Sequence, residues 1–276
     1  MNVVVLGASG QLGVDICKTF EDEHLITPTH QDLDISNLSG VNAFLENNHP
    51  EIVINCVAYH DVAGCELNSE LAYLLNFQAV KNLSIACNNV GAKFVHISTD
   101  YVFDGYKGNY NENSLTNPLN VYGKSKISGE NIITRNSQDY IIGRVSSLFG
   151  LKGSSNKGLN FVEKVINFKG DSMKIVSDQV MSPTYTMDAA TLIRGLVNDD
   201  YKGIAHLNNE GACSWYEFAS EIIHLCDLNI KLEPITLDLI TSIVQTPKNS
   251  SMKSLHIKNR SWREALHEYI KLRSNQ

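Results

Sequence analysis

The sequence predicts an α/β fold, a doubly wound parallel sheet with a smaller C-terminal lobe, and three observations carry that expectation. Short continuous apolar runs, "NVVVLG", "EIVINCVA", "AKFVHIST" and "DYIIGRVSS", alternate with stretches of helical spacing. Strands buried on both faces read as unbroken apolar runs, and alternation with helices is the pattern of parallel crossovers. A glycine cluster, "GASGQLG", follows the first run directly, and after Phe149 the regular rhythm stops.

Taken in order, "NVVVLG" is a strand that breaks into glycines, and "GQLGVDICKTF" continues as a helix through Leu12, Ile16 and Phe20. A second strand near "HLITPT" leads to a helix with Val41, Phe44 and Leu45 on its apolar face, for which Asp34 or Ser36 is the expected cap. The strand "EIVINCVA" follows Pro50, and one long helix is expected from Glu66 to Asn89 ahead of "AKFVHIST". The stretch "NPLNVYGKSKISGENIITR" reads as a helix opened by Asn117-Pro118-Leu119, and "DYIIGRVSS" as the next strand. Beyond it "GLKGSSNKGLN" suits a flexible loop near a site, although its composition fits a plain linker equally well. Helices are then expected at "NFVEKVINF", "TMDAATLIRGLVN" and "SWYEFASEIIHLC", and strands at "MKIVSD" and "GIAHLNN". This divides the chain into a sheet domain, 1–147 with segments about 184–208 returning to it, and a lobe built from 148–183 and 209–276.

Composition narrows the function. The 276 residues suffice for a substantial core. The net charge of −7, from 23 basic and 30 acidic side chains, includes no basic run able to hold a phosphate backbone, so no nucleic-acid partner is expected. The six cysteines show neither C-x-x-C nor zinc-ligand spacing and read as reduced, mostly buried thiols. No apolar run reaches the roughly 20 residues that cross a bilayer, and "MNVVVLGASG" has no signal-peptide pattern, so a cytoplasmic protein without membrane contact is expected.

Gly7, Gly10 and Gly13 lie between the first strand and helix, where a backbone free of side chains lets a pyrophosphate approach the helix N-terminus. A dinucleotide site and a merely structural turn both use such glycines; position after the first strand favours the former. The end of the second strand, "TPTH", lacks the acidic residue that would hold a ribose 2′-hydroxyl, which leaves NADPH admissible beside NADH. Further on, Ser98, Thr99, Asp100 and Tyr101 end a strand where ligands of parallel sheets collect, and Tyr122 and Lys126 stand four apart on the following helix.

These stretches, with "VINCVAYHDVAGCE", "STDYVFDG", "NPLNVYGKSK", "SDQVMSPTYT" and "NEGACSWYEFA", resemble the extended short-chain dehydrogenase/reductase family, and within it the dTDP-4-dehydrorhamnose reductases. The resemblance covers nearly the whole chain in family order. It implies a Rossmann-type sheet and transfer of hydride from NADPH or NADH to the 4-keto group of a nucleotide-linked 6-deoxyhexulose, a step of dTDP-L-rhamnose and cell-surface polysaccharide biosynthesis. Tyr122 matches the acid, Lys126 the ammonium that tunes it and binds the nicotinamide ribose, and Thr99 a donor to the reacting oxygen. Gly7, Ser9, Gly10, Gln11 and Leu12 match the pyrophosphate turn, Asp34 and Ile35 the adenine side, and Cys56, Ala58 and Tyr59 the ribose and diphosphate wall. Asn160, Gln179 and Pro183 fall in segments that would face the sugar nucleotide, with structural roles as an equal alternative.

Two departures bear on the substrate. Ser147 stands where relatives often have Trp, and Thr246-Pro247 where they often have Arg-Pro, with Lys248 adjacent. The resemblance also admits a homodimer, and between its subunits a Mg2+ ion near Asp15 and Asp188, although solvated carboxylates are the simpler reading; no metal ligand is assigned. Two rival readings remain: a non-catalytic regulatory subunit like that of methionine adenosyltransferase, opposed by the intact Thr99, Tyr122 and Lys126, and an epimerase or dehydratase that retains its NAD.

Overall fold

A computed structural model describes residues 1–152 and 158–274 of the chain. Its centre is a six-stranded sheet, and every pair of neighbours in it runs parallel. In chain order the first elements are β1 (Asn2–Leu6), α1 (Gln11–Thr19), β2 (His24–Ile26), α2 (Leu38–Asn48), β3 (Ile52–Asn55), α3 (Val62–Leu67), α4 (Ser69–Tyr73), α5 (Ala79–Val90), β4 (Lys93–Thr99), α6 (Val121–Asn136) and β5 (Tyr140–Val145). Then come β6 (Leu148–Phe149), α7 (Phe161–Ile166), β7 (Ser172–Val176), β8 (Val180–Met181), β9 (Thr184–Tyr185), α8 (Thr186–Asn198), β10 (Gly203–His206), β11 (Cys213–Ser214), α9 (Trp215–Leu225), β12 (Lys231–Ile235) and α10 (Trp262–Arg273).

The sheet order is β10-β5-β4-β3-β1-β2. The chain leaves β1 toward one edge and returns to build the other, so the order reverses between β1 and β3, where a crevice opens beyond the strand ends. Period-two alternation feeds both faces: Val3 and Val5 pack with Leu12, Ile16 and Ile193 from α1 and α8, while Val4 and Leu6 pack with Val41, Leu83 and Ile133 from α2, α5 and α6. A third cluster gathers Phe149, Val162, Phe218, Trp262 and Tyr269 from the second half of the chain. This is the Rossmann-like α/β architecture that the alternation predicts.

Three local expectations need correction. The helix expected from Glu66 to Asn89 is broken into α3, α4 and α5 with a π-helical turn, Leu74–Gln78, between the last two. Asn68 starts α4 by accepting the Leu71 N–H at 3.1 Å. The π turn carries Asn76, whose buried amide accepts from Tyr59 N at 2.8 Å and donates to Tyr59 O and Ser125 Oγ, each at 3.0 Å; an inserted residue of this kind re-aims a side chain at the expense of one helical bond. The cap of α2 is neither Asp34 nor Ser36 but Asn37, which accepts the Gly40 N–H at 3.2 Å. Asp34 instead accepts the N–H and hydroxyl of Ser36, at 2.9 and 2.7 Å, in a local turn that competes with capping. Likewise α6 starts at Asn120, which accepts the Gly123 N–H at 2.9 Å, and not at the Asn117-Pro118-Leu119 signal.

Of the "GLKGSSNKGLN" segment, residues 153–157 lie outside the described residues. None of the six cysteines forms a disulfide; Cys65, Cys87 and Cys213 are buried and the others half-buried. Among the described residues no helix is long and apolar enough to cross a membrane.

Candidate active site

The glycine turn closes because Gly7 takes φ +77°, a left-handed conformation that favours glycine, and its carbonyl oxygen accepts the Gly10 N–H at 3.0 Å. Helix α1 rests directly on this turn. A Cβ at Gly13 would lie 2.9 Å from Ala8 Cα and run into the Gly7 carbonyl oxygen. Gly10 caps α1 without any side-chain hydrogen bond, so the first-turn N–H groups stand bare at a cavity wall. Gln11 Nε2 is buried there without a partner among the described residues. A bare helix N-terminus, a turn with no room for a Cβ and an orphaned amide donor fit a dinucleotide pyrophosphate.

One cavity of about 510 Å³ extends from this turn across the ends of β3 and β4 and over α6 to α7 and α9. Gly7, Ser9, Gly10, Gln11, Leu12, Cys56, Ala58, Thr99, Tyr122, Lys126, Asn160 and Gln179 all line it, so most of the residues singled out from the sequence meet in one space. Asp34, Ile35, Tyr59 and Pro183 are outside that lining. Asp34 is engaged by Ser36, and Ile35 is buried in the core beneath α2 and α5. The Tyr59 backbone is held through both its N–H and its carbonyl by Asn76, and Pro183 is buried between β8 and β9.

At the centre of the cavity, Tyr122 stands half-buried with the Tyr101 ring edge-on to it, centroids 5.8 Å apart. Burial pushes its phenol above the ordinary range, with Thr99 acting the other way. Thr99 Oγ1 accepts the Tyr101 N–H at 3.2 Å and donates to Asp100 Oδ1 at 3.1 Å. Asp100 is buried, and its other oxygen accepts from Ser146 Oγ at 2.8 Å and Ser250 Oγ at 2.5 Å. Burial raises this carboxyl while the three hydroxyls oppose the rise.

Lys126 is 1% exposed. Its Nζ donates to Ile97 O at 2.7 Å and lies 3.1 Å from His96 Nε2. Burial lowers the amine from its ordinary value to about 8, against the pull of Glu130. One turn further along α6, Glu130 receives Arg144 Nε at 3.0 Å, Arg144 Nη2 at 2.6 Å and Ser98 Oγ at 2.5 Å. A phenol, an amine and a hydroxyl thus share one wall, the set needed to protonate an oxygen as charge builds on it.

The far end of the cavity is aromatic and cationic. Phe161 and Trp215 pack with centroids 4.7 Å apart, and both line the cavity beside exposed Lys164. Gln179 links three segments there: its Oε1 accepts from Trp215 Nε1 at 3.2 Å, and its Nε2 donates to Thr246 Oγ1 at 3.1 Å and Pro247 O at 3.0 Å. Asn160 caps α7 through Glu163 N at 3.0 Å and donates to Gly150 O at 2.9 Å.

The family model described as "RmlD substrate binding domain" matches residues 1–274. The chain belongs to the RmlD family. The spore coat polysaccharide biosynthesis protein SpsK of Bacillus subtilis is 36% identical and the match covers 99% of this chain and 98% of that protein. A dTDP-4-dehydrorhamnose reductase of Aggregatibacter actinomycetemcomitans is 33% identical over 96% of each. Among solved structures, a dTDP-4-dehydrorhamnose reductase of Clostridium acetobutylicum matches with a TM-score of 0.93 at 38% identity, covering 99% of each chain. The Bacillus anthracis reductase, solved in complex with NADP, matches with a TM-score of 0.92 at 32% identity over 98% of this chain and 99% of that one. A UDP-glucose 4-epimerase of Thermotoga maritima, at 16% identity and a TM-score of 0.81, shares the fold alone.

Against the RmlD pattern, Ser147 lines the cavity with φ +46°, an uncommon conformation for a residue other than glycine. Lys248, beside Thr246-Pro247, lies 3.8 Å from Asp178 and lines a second cavity that shares Gln179 with the first. Asp15 accepts from Lys18 at 2.8 Å and Thr186 at 2.6 Å, and Asp188 is bound by Arg260 and Asn209, so both carboxylates are engaged within the chain. Among the described residues no group of three or more His, Cys, Asp and Glu side chains is arranged to hold a metal ion. Sequence reasoning missed Asn55, His96, Phe161 and Lys164. For Lys164 a signal existed, since it follows Asn160 by four positions on a helix; for Asn55 and His96 there was none, because strand pairing alone brings them together.

Proposed function

We propose that this RmlD-family chain catalyses NAD(P)H-dependent reduction of the 4-keto group of a nucleotide-linked 4-keto-6-deoxyhexose, as a dTDP-4-dehydrorhamnose reductase does, in the assembly of cell-surface polysaccharide. One observation carries the reading: the uncapped glycine turn and the Thr99, Tyr122 and Lys126 side chains open into the same cavity. Gly7, Ser9, Gly10, Gln11 and Leu12 would hold the pyrophosphate, with Cys56 and Ala58 against the diphosphate and ribose. The bound nicotinamide supplies the hydride. Tyr122 delivers a proton from its hydroxyl to the carbonyl oxygen, Lys126 lies beside it as the amine that tunes the phenol, and Thr99 turns its hydroxyl from Asp100 to the same oxygen.

Asp32, near the end of β2, is held by the N–H and hydroxyl of Thr29 at 2.8 and 2.6 Å. That turn engages the carboxylate locally, which supports NADPH beside NADH. Phe161, Trp215, Lys164, Asn160 and Gln179 form the sugar-nucleotide end, Lys164 supplying the cation for the diphosphate. In this reading 1–147 with about 184–208 form the cofactor domain, and 148–183 with 209–276 the substrate lobe, of a cytoplasmic homodimer.

The test is a screen of NADPH and NADH oxidation across several 4-keto-6-deoxy nucleotide sugars, with product stereochemistry read by NMR. Oxidation that depends on the ketosugar supports the reading. No oxidation with any of them, or nicotinamide that stays bound while a sugar is epimerised, overturns it.

A further inference from the structure

Two buried residues behind Lys126 fix what its amine can do. Asn55, at the end of β3, is fully buried and its Oδ1 accepts the Val57 N–H at 3.0 Å. A backbone N–H only donates, so the amide NH2 must be the group turned to His96 Nδ1, 3.2 Å away. An NH2 also only donates, which makes Nδ1 the lone-pair nitrogen of the ring. Burial keeps the His96 imidazole neutral by holding it well below its usual range. Its single proton is therefore on Nε2, 3.1 Å from Lys126 Nζ.

A neutral amine offers one lone pair to that N–H; an ammonium offers none. With the amine neutral the chain closes donor to acceptor, from Asn55 to His96, from His96 to Lys126, and from Lys126 to the Ile97 carbonyl oxygen at 2.7 Å. With an ammonium, two N–H groups meet head-on, or the ring proton moves to Nδ1 against the Asn55 NH2.

We propose that Asn55 and His96 are positioning residues that lock one imidazole tautomer and so make Lys126 a proton-exchanging amine, not a permanent cation. The proposal rests on the ketoreductase reading, in which Tyr122 must regain a proton in every cycle. Burial already lowers Lys126 to about 8, and the locked tautomer acts in the same direction. The other groups facing the amine are accounted for. Glu130, on the same helix, opposes the lowering but is bound by Arg144 of β5. The Cys56 thiol, beyond β3, is pushed up to about 12 by burial and stays uncharged. Tyr122, one turn back, and Asp100 at the end of β4 are raised by their own burial.

The test begins with 15N NMR of the full-length, cofactor-free protein near pH 7, the His96 ring signals being assigned by their loss in His96→Gln. A pyridine-type Nδ1 and a protonated, pyrrole-type Nε2 are expected; an Nδ1–H tautomer or an imidazolium overturns the proposal. In kinetics, Asn55→Asp presents an acceptor to Nδ1 and releases the lock, and His96→Gln can turn an amide oxygen to the amine without adding charge. Both are expected to move the alkaline limb of kcat upward by about one pH unit with cofactor KM little changed; a limb unmoved in both variants overturns it. If no ketosugar is turned over, the ketoreductase reading fails by itself, and the tautomer measurement still decides the state of His96.

Discussion

Thr99 Oγ1 donates to Asp100 Oδ1 at 3.1 Å, so the single proton of this hydroxyl rests on a buried carboxylate and must turn from it to reach a substrate oxygen. Thr99→Val removes that donor while keeping the shape. A fall in kcat of about 10²-fold is expected with cofactor KM little altered; the stability read from urea unfolding should fall as well, by about 1–3 kcal/mol, because the Tyr101 N–H and Asp100 lose a partner, and Thr99→Ser should recover most of both losses. Steady-state kinetics on the three proteins checks this.

Tyr122→Phe deletes only the proton to be transferred. Turnover should fall by about 10²–10⁴-fold, while NADPH affinity, read by fluorescence titration, is retained. Retention of most of the rate would assign the acid elsewhere.

Gly13→Ala drives a methyl group into the Gly7 carbonyl oxygen and to 2.9 Å from Ala8 Cα. The turn must open, at about 1–3 kcal/mol. Both the melting temperature and the NADPH affinity should drop, whereas Gly195→Ala, in α8 with nothing within 4 Å of the new Cβ, should leave the affinity unchanged and raise the melting temperature slightly, since Ala is the better helix former by about 0.5–1 kcal/mol.

Glu130 and Arg144 form a two-point ion pair with side chains only 2% and 3% exposed. Arg144→Met strands the carboxylate and should destabilise the fold by about 3–5 kcal/mol in urea titrations. Pairing it with Glu130→Leu removes the stranded charge and should restore much of that loss.

The pH dependence of stability follows from groups held in their uncharged forms. His206, lowered by burial from 6.5 to about 4, and His96, lowered further, bind fewer protons folded than unfolded. Stability is therefore lost as pH falls below 6.5 toward 4. Lys126, lowered from 10.5 to about 8, has the same sign in its own window, so it contributes a gain as pH rises from 8 toward 10.5. Urea midpoints across that range test both, and Lys126→Met should flatten the alkaline rise.

Much of the site was legible because its parts are local. A glycine turn, a hydroxyl at a strand end and a Tyr-x-x-x-Lys helix each announce themselves within a few residues, and strand direction is enough to bring them to one side of the sheet. The rest depends on long-range geometry. Asn76 breaks the expected long helix because its amide serves Tyr59 and Ser125, residues 17 and 49 positions away. Asp34 was misread as a cap because an acidic residue before a helix serves a cap or a preceding turn equally well, and only the position of Asn37 decides between them. Helix α10 went unassigned although Ser261 and Glu264 form a capping box at its start.

Ser250 reaches Asp100 from 150 residues further along the chain, and its neighbour Asn249 donates its backbone N–H to Gly105 O at 3.0 Å. During synthesis the glycine turn and the helix bearing Tyr122 emerge long before this partner does. At about 5–20 residues per second, roughly 8–30 s separate Asp100 from Ser250 at the ribosome. The nascent chain thus holds the chemical groups early but lacks the hydroxyl that completes the wall behind Thr99, and that wall is finished only once Ser250 has left the ribosome.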